Sequence, residues 1–229
     1  MKRVLVVAAI ALSVLAARVD VASATNECRG FMACVPVAGP WVVLPPAGGK
    51  LRRQVQFQLT CPKGFIVGGV DAELSDRAID VWFLAAPGSP VAPGRSTSRT
   101  IVFVSTYVGS GARAPTFRPR AGCVPGGGGG SRTPTAFTPI FAPGKPTVRR
   151  VRTARVAASG TFAVRCRNDE RLVAAYSARG FRTPKPPSPQ LVASFSARTH
   201  LTANGIAAQT SGGNGRAVVQ LAAVCAGGK

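Results

Sequence analysis

What the sequence has least of is negative charge. Eight Asp and Glu residues stand against 29 Lys and Arg residues, and the formal net charge is +21. An excess of this size raises the local concentration of anions. The expected partners are therefore polyanions: envelope polymers, anionic lipid head groups or nucleic acid. The alternative is that the charge reflects the arginine bias of a GC-rich genome and serves no binding function.

Motifs for catalysis and cofactor binding are also missing. His200 is the only histidine, and no G-x-S-x-G sequence accompanies it, so a His-dependent hydrolase lacks its nucleophile and orienting acid. His200 is expected at the surface or at a strand edge. No C-x-x-C pair suggests zinc or redox chemistry, and the glycine run 126–130 lacks the Gly-Lys-Ser/Thr of a phosphate loop. We therefore predict a non-enzymatic protein without a cofactor.

Only one long apolar run occurs, at residues 4–17. Lys2 and Arg3 precede it, and the small residues Ala22-Ser23-Ala24 follow it, as in a cleavable signal peptide. The run is shorter than the roughly 20 residues that span a bilayer, so an uncleaved anchor is the weaker alternative. We expect residues 1–24 to be removed and the product to be secreted, extracellular or envelope-associated, with no transmembrane segment.

All six cysteines lie beyond the expected cleavage site, and an even number in an exported chain indicates disulfides. Residues 56–61 and 161–166 both alternate outward-facing and apolar positions and then deliver a cysteine. The spans from these cysteines to the next ones have nearly equal length, and the runs 79–86 and 191–195 occupy similar places within them. This pattern indicates a two-copy repeat. It predicts three pairs: Cys61 with Cys123, Cys166 with Cys225, and Cys28 with Cys34.

Short strands account for most of the expected structure. Residues 54–59 and 102–107 alternate with the period of two of half-buried strands, and 26 Gly and 19 Pro punctuate the chain. We predict an all-β protein in which two tandem pseudo-repeats form a sandwich or prism-like domain. The predicted divisions are an N-terminal extension (25–46), repeat 1 (47–124), a Gly/Pro-rich linker (125–136) and repeat 2 (137–229). The oligomeric state is not predicted.

One short motif carries a family resemblance. Residues 61–64 read Cys-Pro-Lys-Gly, and an apolar residue and the pair Gly68-Gly69 follow. This arrangement resembles uncharacterised secreted proteins of actinobacteria whose short Cys-bracketed β repeats open in this way. The resemblance implies export and β structure and brings no activity with it. The second half departs from the motif, with Arg167, Asp169 and Ala174-Ala175 at the corresponding places.

Four acidic residues lie close together in the sequence: Asp71, Glu73, Asp76 and Asp80. Asp71 and Glu73 would share one face of a strand, where carboxylate oxygens suit calcium, although the spacing lacks the EF-hand pattern. A carboxylate-pair hydrolase would need one acid with a raised pKa. The simpler interpretation is exposed ion pairs with Arg77 and neighbouring arginines.

The candidate anion-binding residues form two basic segments. Arg149, Arg150 and Arg152 lie on an expected strand (147–155), and Lys50, Arg52 and Arg53 precede the first repeat at the equivalent place. Guanidinium groups suit bidentate contact with phosphate, sulfate or carboxylate. The alternative is that charge on an edge strand prevents aggregation between sheets.

Aromatic residues are not interleaved with these arginines, as stacking of bases would require, so no specific nucleic-acid partner is predicted. Trp41, Trp82, Tyr107 and Tyr176 lie in or beside apolar segments and are expected in the core, with Trp41 alternatively an exposed sugar-stacking ring. The leading hypothesis is a secreted protein that associates with an anionic polysaccharide or envelope polymer. A hydrolase using residues 71–80 and a structural envelope protein without ligand are the alternatives.

Overall fold

A computed structural model describes residues 25–46, 53–84, 99–110, 114–126 and 147–227. The expected signal peptide and most of the expected linker lie outside these residues. Strands make up 62% of the described residues and helix 3%, so the all-β prediction is confirmed. Among the described residues, no helix is long and apolar enough to cross a membrane.

The described residues form thirteen strands and one short helix. The strands are β1 (Val35–Ala38), β2 (Trp41–Val43), β3 (Val55–Thr60), β4 (Phe65–Leu74), β5 (Ile79–Phe83), β6 (Thr100–Tyr107), β7 (Thr116–Pro125), β8 (Thr147–Val156), β9 (Gly160–Arg165), β10 (Glu170–Phe181), β11 (Ser196–Thr202), β12 (Gly205–Ser211) and β13 (Ala217–Gly227). Helix α1 (Pro189–Ala193) lies between β10 and β11.

The strands form one large sheet and two small ones. The large sheet has the strand order β4-β7-β2-β10-β13-β8. β1 also pairs with β7, next to β2 and on the same edge of β7. The small sheets have the orders β3-β6-β5 and β9-β12-β11. Every strand pair described is antiparallel.

The two halves share their strand pairing. β3-β6-β5 and β4-β7 in the first half have the same arrangement as β9-β12-β11 and β10-β13 in the second. The registers agree as well, since Phe65 pairs with Pro125 and Glu170 with Gly227, each partner two residues beyond a cysteine. The pairing register also shifts at the equivalent place in both strand pairs: after Val67 in β4-β7 and after Leu172 in β10-β13.

The large sheet contributes to two hydrophobic cores. Val42 belongs to the first core, with Phe57, Phe103 and Phe117. Val43, its neighbour on β2, belongs to the second core, whose largest side chains include Phe181, Phe195 and Leu221. Because successive side chains of a strand point to opposite faces, the two small sheets cover opposite faces of the large one at this strand.

Three disulfides join the cysteines in the pairs that the repeat pattern predicts. Cys61–Cys123 connects the residue after β3 to β7, and Cys166–Cys225 connects the residue after β9 to β13. Cys28–Cys34 closes a short loop. In the chain-entropy model each long bridge contributes about 4 kcal/mol through the unfolded state. Bonds of this kind persist in oxidising environments.

The N-terminal segment is part of the sheet. Residues 25–46 supply β1 and β2, and the segment before them rests on glycines of β4 and β7. A Cβ at Gly69 or Gly122 would lie 2.1 or 2.0 Å from the carbonyl oxygen of Glu27. Glycine is therefore required at both positions for this close approach.

One matched pair of segments proves to be different in structure. Residues 79–83 form β5, whereas Pro189–Ala193 form helix α1. The Ser188 hydroxyl caps the helix by accepting from the backbone N–H of Leu191 at 3.2 Å, and Pro189 suits the first helical turn. The counterpart of β5 is instead β11, since each pairs with the middle strand of its small sheet.

Candidate functional site

The arginines of β8 alternate between the two faces of the large sheet. Arg149 points inward, where its Nη1 donates to Gln56 Oε1 at 2.9 Å and its guanidinium lies 5.1 Å from the ring centroid of Tyr176. Burial lowers the pKa of Arg149 to about 10, because desolvation disfavours the charged form. Arg149 is therefore a packed side chain and not an open binding group.

Arg150 points to the other face and is already paired. Its Nη2 and Nε donate to the two carboxylate oxygens of Glu170, at 2.5 and 3.1 Å. The hydrogen bond from Arg150, together with one from the backbone N–H of Arg167 at 2.8 Å, lowers the pKa of Glu170. Such a bidentate pair leaves little of the Arg150 charge for a ligand.

Arg152 is the exposed member of the run. It lies on the same face as Arg150, with its guanidinium 5.8 Å from the ring centroid of Phe162 on β9. Of the three arginines predicted to bind an anion, only Arg152 is exposed, and the strand does not bring the three together. Of the second predicted segment, Lys50 and Arg52 lie outside the described residues. Arg53 is described and exposed, and it lines a cleft between the two halves.

The acidic residues 71–80 do not converge on one site. Asp71 and Glu73 share a strand, but Asp71 accepts from the backbone N–H of Asn26 at 2.7 Å. Asp76 accepts from the backbone N–H of Ala78 at 2.8 Å within the turn, and Asp80 is exposed on β5. Asp71 thus holds the N-terminal segment against β4, and Asp76 stabilises its own turn.

Glu73 belongs to a network of charges on the first half. Arg120 of β7 lies between Glu73 and the buried Glu27, and it donates to both. Burial acts to raise the pKa of Glu27, but hydrogen bonds from its own backbone N–H, Arg120 and Thr25 outweigh it and lower that pKa. Arg118 also lies near Glu73, at 3.8 Å. Arg118 and Arg120, and not Arg77, are thus the arginines that neutralise Glu73.

The remaining candidate residues are a histidine, two tryptophans and a cysteine pair near a carboxylate, and none of them forms a site. His200 is exposed on β11. Trp41 is 3% exposed, which excludes the sugar-stacking role. Trp82, expected in the core, is 37% exposed, because strand alternation places it with Asp80 on the outward face of β5, opposite the buried Ile79. The sulfurs of Cys166 and Cys225 lie near a carboxylate oxygen of Glu170, but they are bonded to each other and are not thiolate ligands.

Three arginines from distant parts of the sequence meet near one end of the large sheet. Arg118 and Arg182 line a groove of about 520 Å³ with Ala38, Gly39, Thr183 and Pro184. Burial, and then the positive charges of Arg155 and Arg118, lower the pKa of Arg182. We call this set, with Arg155, the arginine groove.

The arginine groove was not predicted, because its members come from β7, β8 and the residue after β10. Arg155 belongs to the basic run 147–155, but no such run marks Arg118 or Arg182 as its partners. Only the register of the sheet brings the three together. None of the described residues that line the groove is acidic. Arg118 also lies 3.8 Å from Glu73, so the arrangement is suited to an anion chiefly through Arg155 and Arg182. No protein-family model, no curated protein and no solved structure matches the chain.

Proposed function

We propose that this chain is an exported, non-enzymatic β protein that associates with an anionic polymer, such as an envelope or host polysaccharide, through the arginine groove. The groove replaces the β8 run as the principal contact, because Arg149 is packed inside and Arg150 is paired with Glu170. Arg152 and Arg53 are secondary contacts.

One observation carries the proposal: Arg118 and Arg182 line the same groove, of about 520 Å³, without an acidic residue among its described lining residues. Burial, and then the positive charges of Arg155 and Arg118, lower the pKa of Arg182 there. An anion that enters between guanidinium groups held together in this way relieves their mutual repulsion, and its binding is therefore favourable. Sulfate, phosphate and carboxylate groups all fit the planar fork of arginine. A groove that is open to solvent suits one stretch of a longer chain.

Export is supported by two independent features. Three disulfides indicate an oxidising environment, and the residue pattern of 1–24 is that of a signal peptide. An anionic polymer at a cell surface is the polyanion that such a protein would meet first.

Salt-gradient elution from immobilised heparin and dextran sulfate tests the proposal. We expect the natural chain to be retained above physiological ionic strength, about 0.15 M. The double variant Arg155→Gln, Arg182→Gln should elute at clearly lower salt. The matched control is Arg165→Gln, Arg171→Gln, which removes the same charge from exposed positions on β9 and β10 and should elute near the natural chain.

Two outcomes would contradict the proposal. If both double variants elute together, net charge alone determines retention and the groove has no special role. If the natural chain passes through both columns at physiological salt, the protein does not associate with polyanions, and a structural role without ligand is favoured.

We also propose that the two halves arose by duplication and that the chain is related to the secreted actinobacterial proteins described above. The shared strand order and the equivalent disulfides support the duplication. The turn at Pro62–Phe65, with Gly64 at a φ of 86°, supports the Cys-Pro-x-Gly motif.

A further inference from the structure

The two halves part beside β2 and leave a cleft. β2 pairs with β10 only through Trp41 with Phe181 and Val42 with Gly180. Pro45 and Pro46 follow and have no N–H to extend the ladder, while the N–H of Leu44 is directed to Pro115 at 2.8 Å. The strands therefore separate and leave a volume of about 320 Å³.

Apolar side chains form most of the cleft wall. They come from both cores and from the residues after β2: Val43, Leu44, Pro45, Pro46, Val55, Ala178, Ala197 and Val219. Since several of these residues are buried in the cores, the wall is rigid. Small-molecule sites have volumes of roughly 300–1,000 Å³ and largely apolar walls, so the cleft suits a small ligand and not a folded partner.

The polar groups of the cleft are cations and hydroxyls. Arg53 and Arg179 supply guanidinium groups, and Ser177 and Thr199 supply hydroxyls, with no acidic residue among the described lining residues. Arg179 is held in place by a hydrogen bond from its Nη1 to the carbonyl oxygen of Phe195, at 3.1 Å. Burial lowers the pKa of Arg179, as expected for a cation that no carboxylate compensates.

We infer that this cleft binds a small anion with an apolar body, a carboxylate on a short hydrocarbon chain. The carboxylate lies against Arg53 and Arg179, and the hydrocarbon replaces water along the apolar wall. A bare inorganic anion would leave that wall hydrated, and a neutral alcohol would leave both arginines without an acceptor. The site shares no lining residue with the arginine groove. Arg53 is also a secondary contact of the polymer, so the two sites are separated by a variant at Thr199, which lines the cleft alone.

Calorimetric titration with hexanoate, hexanol and acetate tests this inference on the full chain. Hexanoate should bind saturably, with one site, and at least tenfold more tightly than either hexanol or acetate. Arg53→Gln should weaken hexanoate binding at least tenfold. Arg77→Gln, which removes one exposed charge elsewhere, is the control and should bind hexanoate like the natural chain.

A second variant guards against a purely electrostatic explanation. Thr199→Phe keeps every charge and places an aromatic ring in the cleft from an exposed position on β11. It should abolish hexanoate binding while leaving heparin retention unchanged. Absence of saturable binding by the natural chain, equal affinity for hexanol, or equal loss in Arg53→Gln and Arg77→Gln would each overturn the inference.

Discussion

The side chain of Gln220 hydrogen-bonds both backbone groups of Gln58. Its Oε1 accepts from the Gln58 N–H at 2.6 Å, and its Nε2 donates to the Gln58 carbonyl oxygen at 3.0 Å. Gln220 lies on β13 of the second half and is 3% exposed, whereas Gln58 lies on β3 of the first. One buried side-chain amide thus makes the two hydrogen bonds that a neighbouring strand would otherwise make to Gln58, and it joins the two halves.

Gln220→Leu should lower the free energy of unfolding by about 2–4 kcal/mol, because two buried backbone groups lose their partner. Equilibrium unfolding in guanidinium chloride, with the disulfides intact, measures this loss in the free energy of unfolding. Gln58→Thr is the control, because the bonds from Gln58 come from its backbone and persist. An equal loss in both variants would contradict this role of Gln220.

Replacing Arg149 tests whether this side chain stabilises the fold through its hydrogen bond to Gln56 or through its contact with Tyr176. Arg149→Met should destabilise the fold by about 1–3 kcal/mol, since the Oε1 of the buried Gln56 loses its donor. Arg149→Met combined with Gln56→Leu should recover that loss, because buried polar groups replaced together by apolar ones cost little. A double variant as unstable as the single one would show that Arg149 stabilises mainly through Tyr176.

Acid should weaken the fold partly through Glu170. Because the pKa of Glu170 is lower in the folded chain, its contribution is full above the unfolded carboxyl pKa, about 4.3. It is lost as pH falls through the lower folded value. Glu170→Gln should therefore lose less stability than the natural chain between pH 7 and pH 3, measured as unfolding free energy against pH. A decline as steep as that of the natural chain would contradict this assignment.

The close approach at Gly122 should be intolerant of a side chain. A Cβ there would lie 2.0 Å from the carbonyl oxygen of Glu27 and 2.9 Å from the sulfur of Cys34. Gly122→Ala should cost about 1–3 kcal/mol by overpacking and should expose residues 25–34 to limited proteolysis. Gly160→Ala, whose Cβ would meet nothing within 3.9 Å, is the control. Unchanged protease resistance in Gly122→Ala would exclude the clash.

The sequence determined those features that depend on local alternation and on cysteine spacing. The strands at residues 54–59, 102–107 and 147–155 and the three disulfide pairs were all predictable. A strand imposes a period of two on its own residues, and two similar spans between cysteines indicate similar pairing. Helix α1 was missed because its apolar residues, Leu191, Val192 and Ala193, are too few to show a helical period.

The tertiary structure alone decided which arginines are available to a ligand. Adjacent residues on β8 lie on opposite faces, and neither is open to a ligand: Arg149 is half-buried against Tyr176, and Arg150 is paired with Glu170. Arg118, Arg155 and Arg182, far apart in the chain, come together instead. The reason is physical: strand alternation sends neighbours to opposite faces, and only sheet register decides which distant charges meet and which find a carboxylate.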